Sequence, residues 1–292
     1  MRIIELSDHP GEQLHAVVRQ RERAEEQALA AYEQELARHR CSVAAARTAR
    51  DQARAQRRWL AWLRGAFAVW AEQARTPRRP VSYHATTDQE AILAAGMHGE
   101  QQAANELGQL LSDDWVLLRG YKNSRGEIDQ LLLGPSGVFA LEVKHRNATV
   151  YIDGDEWRFE KFDRFRNLVE QGRITDRGGR SPSRQVNDSA DTLQRFLNSR
   201  CRQQVIIQRI VLLTHPRSEL GSHRNLTVSV ATSVDTVLGW IREPSPTLLP
   251  AQVSELQQLI ERDHRHHQAH DRSRHGTGHQ GRRRVQDAAP DP

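Results

Sequence analysis

Lysine is nearly missing from this chain. Of 42 lysines and arginines in 292 residues, only Lys122, Lys144 and Lys161 are lysines. A lysine here is therefore a departure from the protein's habitual cation, and its compact ammonium has chemistry that a guanidinium fork lacks. Cysteine is as scarce. Cys41 and Cys201 have no C-x-x-C spacing, which excludes a disulfide framework and a thiolate metal site and points to a reducing, cytoplasmic setting. Aromatic residues make up 5% against 37% hydrophobic overall, so the chain should hold one modest core and much exposed helix. Long apolar runs are missing too. The densest, WLAWLRGAFAVWA at 59–71, contains Arg64 and falls well short of the ~20 residues a membrane-spanning helix needs. It reads as a packing helix, with contact to a membrane surface as the alternative. The opening MRIIELSDHPGEQ has no apolar stretch of the secretory kind.

Proline is absent from 11 to 76, and 11–73 is rich in Ala, Arg, Glu and Gln, so this stretch should be long helix. Leu29, Tyr32, Leu36, Val43 and Ala46 keep a coiled-coil spacing that His39 and Arg50 interrupt. Self-association through this helix and folding back by its tryptophan-rich end are both open. RTPRRP at 75–80 is a linker. The chain thus divides into an N-terminal helical region (1–78), a central domain (79–245), and a short helix with a His/Arg-rich tail (246–292). The formal charge of +5 belongs largely to the tail, because Arg262–Arg284 carries seven Arg and two Asp. From His266 onward the composition reads as disordered, and its histidines suggest a solvated polycationic tail rather than a fixed metal site.

The central region has a mixed α/β order. HGEQQAANELGQLL (98–111) has helical spacing. Strands are expected at Trp115–Tyr121, Glu127–Leu133, Val138–Lys144, Thr149–Ile152 and Trp157–Phe159. A helix at Arg184–Asn198, a strand at Val205–Thr214, a strand at Leu226–Thr232, and helices at Asp235–Ile241 and Ala251–Arg265 follow. All strands are expected in one sheet flanked by helices.

The sequence GEIDQLLLGPSGVFALEVKH reads as a hairpin. With Pro135 and Ser136 central in the turn, Leu133 faces Val138 and Asp129 faces Glu142. Period-two alternation then puts Asp129, Leu131, Leu133, Val138, Ala140, Glu142 and Lys144 on one face, and Ile128, Leu132, Phe139, Leu141 and Val143 on the other. Opposed carboxylates in a half-buried strand pair repel and need a cation. Lys144 supplies part of that charge, and a hard divalent ion held by oxygen ligands would complete it. Glu100 shares the inward face of its helix with Ala103 and Ala104. An E-x-K alone is common by chance; its coincidence with Asp129 and Glu100 is what gives it meaning.

Three stretches, GMHGEQQAANELGQLL, RGEIDQLLLGPSGVFALEVKH and SPSRQVNDSADTLQRFL, together resemble the nuclease-related domain (NERD). This is a branch of the PD-(D/E)xK, restriction-endonuclease-like superfamily, and the resemblance covers about 96–243. It implies a restriction-endonuclease-like mixed sheet and metal-dependent phosphodiester hydrolysis, with DNA as the expected partner and RNA as the alternative. It implies Mg²⁺ or Mn²⁺ as cofactor, with Glu100, Asp129, Glu142, Lys144 and Gln185 as catalytic residues. Asp129, Glu142, the Val143 carbonyl and Glu100 would hold the metal. The rival reading is a catalytically idle nucleic-acid-binding scaffold that self-associates through the N-terminal helix. The long helix and the tail depart from the family pattern.

Overall fold

The computed structural model describes residues 1–80, 87–242 and 247–280. The far end of the expected tail, 281–292, lies outside the described residues. Two units divide the chain: Met1–Glu12 with the chain from Ile92 onward, and Gln13–Ala91.

In the larger unit, strands β1 (Arg2–Glu5), β2 (Val116–Asn123), β3 (Gly126–Gly134) and β4 (Gly137–Lys144) lie side by side in the main sheet. A second sheet takes β5 (Thr149–Asp153), β6 (Glu156–Phe162) and β7 (Leu168–Arg173). The chain then returns through β8 (Ile207–Leu213) to the main sheet, crosses to the second sheet as β9 (Glu219–Arg224), and ends strand formation with β10 (Ser229–Ala231). The main sheet has the order β1-β2-β3-β4-β8-β10 and the second β7-β6-β5-β9. Two sheets replace the single one expected. The short polar link after Lys144 starts β5 on a new ladder, and β5 then pairs with β6 and β9 instead of rejoining β3 or β8.

The hairpin register is as the turn dictates: Leu133 pairs with Val138 and Gln130 with Leu141. On its other side β4 runs parallel to β8, with Glu142 beside Val211 and Lys144 beside Leu213. Both faces of the main sheet are covered, which accounts for the nearly continuous apolar character of β3, β4 and β8. One core joins Leu131, Leu133, Val138 and Ala140 to the second sheet and to helices α4 (Pro182–Arg200) and α6 (Pro250–Gln280). The other joins Leu132, Phe139, Leu141 and Val143 to α3 (Asp88–Leu110) and α5 (Val234–Arg242). Ile128 is a correction, since it packs in the first core and not with Leu132. The alternation breaks where Gly120, at φ +68°, faces this part of β3, and Tyr121 changes sides with it.

Three strands escaped the sequence reading. β1 pairs parallel with β2, β7 is an exposed edge strand, and β9 is almost wholly polar. Helix α6 also extends past the boundary expected near Arg265, to Gln280. Beside the apolar side chains it adds to the first core, it makes polar contacts: the Tyr121 hydroxyl donates to Asp263 at 2.5 Å, and the Lys122 amide donates to His264 Nδ1 at 3.1 Å. Buried His264, its pKa lowered chiefly by loss of solvent, is a structural neutral imidazole.

In the smaller unit the expected single helix is two, α1 (His9–Ala55) and α2 (Trp59–Ala74), separated at Arg57 with φ +55°. α2 folds back on α1. His39 Nε2 meets the Glu72 carbonyl at 2.7 Å, Ser42 donates to the Glu72 carboxylate at 3.1 Å, and a Cβ on Gly65 would stand 2.9 Å from Arg50 Cα. Among the described residues no helix is long and apolar enough to cross a membrane.

Candidate active site

Four elements meet where β4 ends. β3 brings Asp129, β4 brings Glu142 and Lys144, α3 brings Glu100 and the first turn of α4 brings Gln185. Each is held by a local device. The Val143 amide donates to Asp129 Oδ2 at 2.7 Å, just beyond the last ladder pair, so the carboxylate takes over the strand's next hydrogen bond. Gln130, fully buried, donates to the Glu100 carbonyl at 2.7 Å and fixes α3 against the sheet. Helix α4 starts at an N-cap, Ser181, whose side chain accepts from the Arg184 amide, with Pro182 in its first turn. That start places Gln185 between the Arg180 carbonyl, to which it donates at 3.0 Å, and Lys144, whose ammonium donates to Gln185 Oε1 at 3.4 Å.

The central ion pair is Lys144 Nζ to Glu142 Oε1 at 2.5 Å, with the Glu142 side chain 3% exposed and that of Lys144 27%. Burial raises the Glu142 carboxyl and Asp129 raises it further, against the pull of Lys144. Burial, Asp129 and Glu127 likewise hold Glu100 well above the ordinary carboxylate range. Burial alone would depress the Lys144 ammonium, but Glu142 and Asp129 outweigh it and keep it firmly protonated. The site is a cluster of acids with too little positive charge.

Glu127 belongs to the same cluster, and the sequence reading passed over it. Burial and then Asp129 push its carboxyl up to about 8, against a hydrogen bond from Ser7 at 3.2 Å. The available signal was the acid pair in GEID itself. Recognising it required knowing that Ser7, next to β1, approaches Gly120 so closely that a Cβ there would lie 2.2 Å from the Ser7 carbonyl oxygen.

Beside the acids stand three imidazoles. His145 lies 5.7 Å from His98 and 4.9 Å from His215 between ring centroids, and its Nδ1 is 2.9 Å from Thr214 Oγ1. Burial first, then its two neighbours, lower its pKa, so it is a neutral wedge rather than a cation. α3 passes it at Gly99, where a Cβ would stand 2.5 Å from His145 Cβ and 2.7 Å from Thr214 Oγ1. Gly99→Ala should therefore displace α3 and Glu100 with it. The expected loss is ~1–3 kcal/mol in urea unfolding, with activity reduced beyond what the unfolded fraction explains.

A divalent metal fits the donor chemistry, because every carboxylate here offers hard oxygen ligands, and burial first and neighbouring acids second raise the carboxyls of Glu100, Glu127 and Glu142. Among the described residues, however, no three His, Cys, Asp or Glu side chains are gathered closely enough to hold an ion. Glu142 Oε1 is engaged by Lys144 and Asp129 Oδ2 by the Val143 amide.

The larger unit is thus a mixed α/β domain with acids and an E-x-K at one strand end. The profile of the nuclease-related domain, NERD, matches residues 95–214, and over that span the chain is similar to this family. The match begins within α3 and ends just after β8. Comparison with curated proteins gave no match, and comparison with solved structures gave none.

Proposed function

We propose that this domain hydrolyses phosphodiester bonds, principally in DNA, with Mg²⁺ or Mn²⁺. The observation that carries the reading is Lys144, a rare lysine, paired at 2.5 Å with buried Glu142 amid Glu100, Asp129 and Glu127. Asp129, Glu142, the Val143 carbonyl and Glu100 would hold the ion. When bound, it would lower the pKa of a coordinated water and polarise the scissile phosphate. Lys144, kept protonated by its acids, would orient the attacking oxygen and offset charge gathering on the phosphate. Gln185, anchored by the Arg180 carbonyl, would hold Lys144 in place.

The purified full-length protein should cleave linear or circular DNA, or RNA, in Mg²⁺ or Mn²⁺ and not in EDTA. Cleavage that survives both Lys144→Ala and Asp129→Ala would refute the assignment.

The pKa shifts supply a separate test. Glu127 holds a proton in the native state from its ordinary value of 4.5 up to about 8, where the unfolded chain has released it. The resulting stability is present in full below pH 4.5 and is lost as pH rises through 8, and Glu100 acts in the same direction. The metal-free protein should be less stable at pH 9 than at pH 6 by on the order of 2 kcal/mol. Millimolar Mg²⁺ should recover ~2–3 kcal/mol if it binds at a hundredth of that concentration. Urea midpoints in EDTA and in Mg²⁺ check both statements.

A second reading concerns the N-terminal unit. α2 exposes Trp59, Leu60, Phe67 and Trp70, which favours self-association through this helix. Sedimentation of the full chain, beside a variant with Trp59 and Phe67 changed to Gln, should show a shift to the smaller species in the variant.

A further inference from the structure

The second sheet begins at the catalytic strand's end. β5 starts at Thr149, five residues after Lys144, and Thr149 pairs with Glu160, which pairs in turn with Gln171. The connection between β6 and β7 therefore projects from the end of this sheet that lies level with the site, not from its far side. Two contacts tie the sheet to the catalytic neighbourhood. The Arg146 guanidinium sits 3.9 Å above the centre of the Phe159 ring, and the Arg146 side chain also reaches Glu170 at 3.9 Å.

The connecting turn, Asp163–Asn167, is built to hold a shape. Asp163 Oδ1 accepts the Phe165 and Asn167 amides at 2.7 and 2.9 Å, and Oδ2 accepts from the Asn167 side chain at 3.0 Å. The Asp163 and Asn167 backbones close it, N to O, at 2.9 Å. Arg166 is fixed at φ +64°, a conformation that a non-glycine residue holds only under such constraint. What the turn displays is Arg164, Phe165 and Arg166. Phe165 is 70% exposed, with the Arg164 guanidinium 4.6 Å from its ring centre. The acids nearby are engaged locally: Asp163 is spent on the turn, Tyr151 donates to Glu160 at 2.9 Å, Thr149 donates to Glu219 at 3.5 Å, and Glu170 lies 3.7 Å from Lys161. Among the described residues Arg164, Arg166 and Arg217 have no carboxylate partner. They line, with Tyr151 and Phe162, a cleft of about 840 Å³.

An exposed ring between two unpaired guanidiniums matches an unpaired base flanked by phosphates, since base stacking tolerates any sequence and the arginines follow the backbone. We infer that the Arg164–Arg166 turn is a single-strand guide, stacking one unpaired nucleobase on Phe165 while Arg164 and Arg166 hold the adjoining phosphates. This rests on the nucleic-acid reading above and narrows it to substrates with unpaired bases near the cut.

The test uses the full chain in EDTA, so that binding is measured without cleavage, by fluorescence anisotropy of a labelled DNA single strand and a blunt duplex of the same length. Phe165→Ala should weaken single-strand binding about 5- to 100-fold and duplex binding less than about twofold, and Phe165→Trp should bind like the wild type. Arg166→Gly, which suits φ +64°, should leave thermal stability intact and reduce the salt slope of single-strand binding by about 1. Unchanged single-strand affinity in Phe165→Ala, equal losses on strand and duplex, or a wild type that binds neither would overturn the inference. Wild-type cleavage with Phe165→Ala binding unchanged would refute the guide and leave the nuclease standing. Binding through Phe165 without Mg²⁺-dependent cleavage would do the reverse.

Discussion

Lys144→Met should lower metal-dependent cleavage by at least ~10²–10³-fold, the cost of removing one well-placed charge that acts in the transition state. Methionine retains much of the stem's volume, so the loss would report the ammonium. The same change exposes what Lys144 does for the fold. Glu142 is 2% exposed and would be left without its cation, a situation that costs up to ~3–5 kcal/mol when the orphaned group stays charged. Glu142 has an escape, because burial and Asp129 already raise its carboxyl. It would take up a proton and limit the damage at low pH. Lys144→Met should therefore be close to wild-type stability near pH 6 and clearly weaker near pH 8.5. Adding Glu142→Gln should restore stability at pH 8.5 without restoring cleavage. Lys144→Arg should keep the charge and recover little rate, since the guanidinium fork cannot occupy the place of a point charge that reaches both Glu142 and Gln185. Cleavage by Lys144→Met within tenfold of wild type would remove the ammonium from the mechanism.

The parts of this site that were legible in the sequence share a cause. Gly134-Pro-Ser-Gly137 is a turn with one sensible register, and a strand hairpin propagates that register without error as far as Gln130 and Leu141. Charged Glu142 and Lys144 ending an otherwise apolar strand then stood out against a known background. Glu100 was legible because helical spacing ties it to Ala103 and Ala104, both fully buried. Glu127 was not, although it is two residues from Asp129. Nothing local shows that Gly120 leaves the ordinary strand conformation or that Ser7, more than a hundred residues away, closes over this carboxylate. The alternation that placed Ile128 beside Leu132 failed at the same irregularity. β7 and β9 were missed because their strand state comes from pairing with β6 and β5 and not from their own apolar pattern. His264 falls inside the expected helix Ala251–Arg265, but nothing local shows that it is buried and accepts the Lys122 amide.

The second large effect expected is on folding, and it reaches the site through α4. Trp157 is 2% exposed in the core between the second sheet and the main one. Its indole N–H donates to Ser183 Oγ at 3.1 Å, and Ser183 donates in turn to Asp155 at 2.8 Å. Ser183 lies in the first turn of α4, 3.0 Å from the capping Ser181 and two residues before Gln185. One tryptophan thus fills the core under the second sheet and fixes the helix start that aims Gln185 at Lys144. Trp157→Ala should cost ~3–5 kcal/mol by urea unfolding, since a cavity of that size is only partly closed by its neighbours. Trp157→Phe keeps most of the buried ring and loses one hydrogen bond, so ~1 kcal/mol beyond the volume change is expected. If Trp157 acts on the site as this connection requires, Trp157→Phe, assayed well below its melting temperature, should lose more in turnover than in DNA affinity, and Gln185→Ala should reproduce that loss without the change in stability. Equal turnover in wild type and Trp157→Phe would confine the tryptophan to the core.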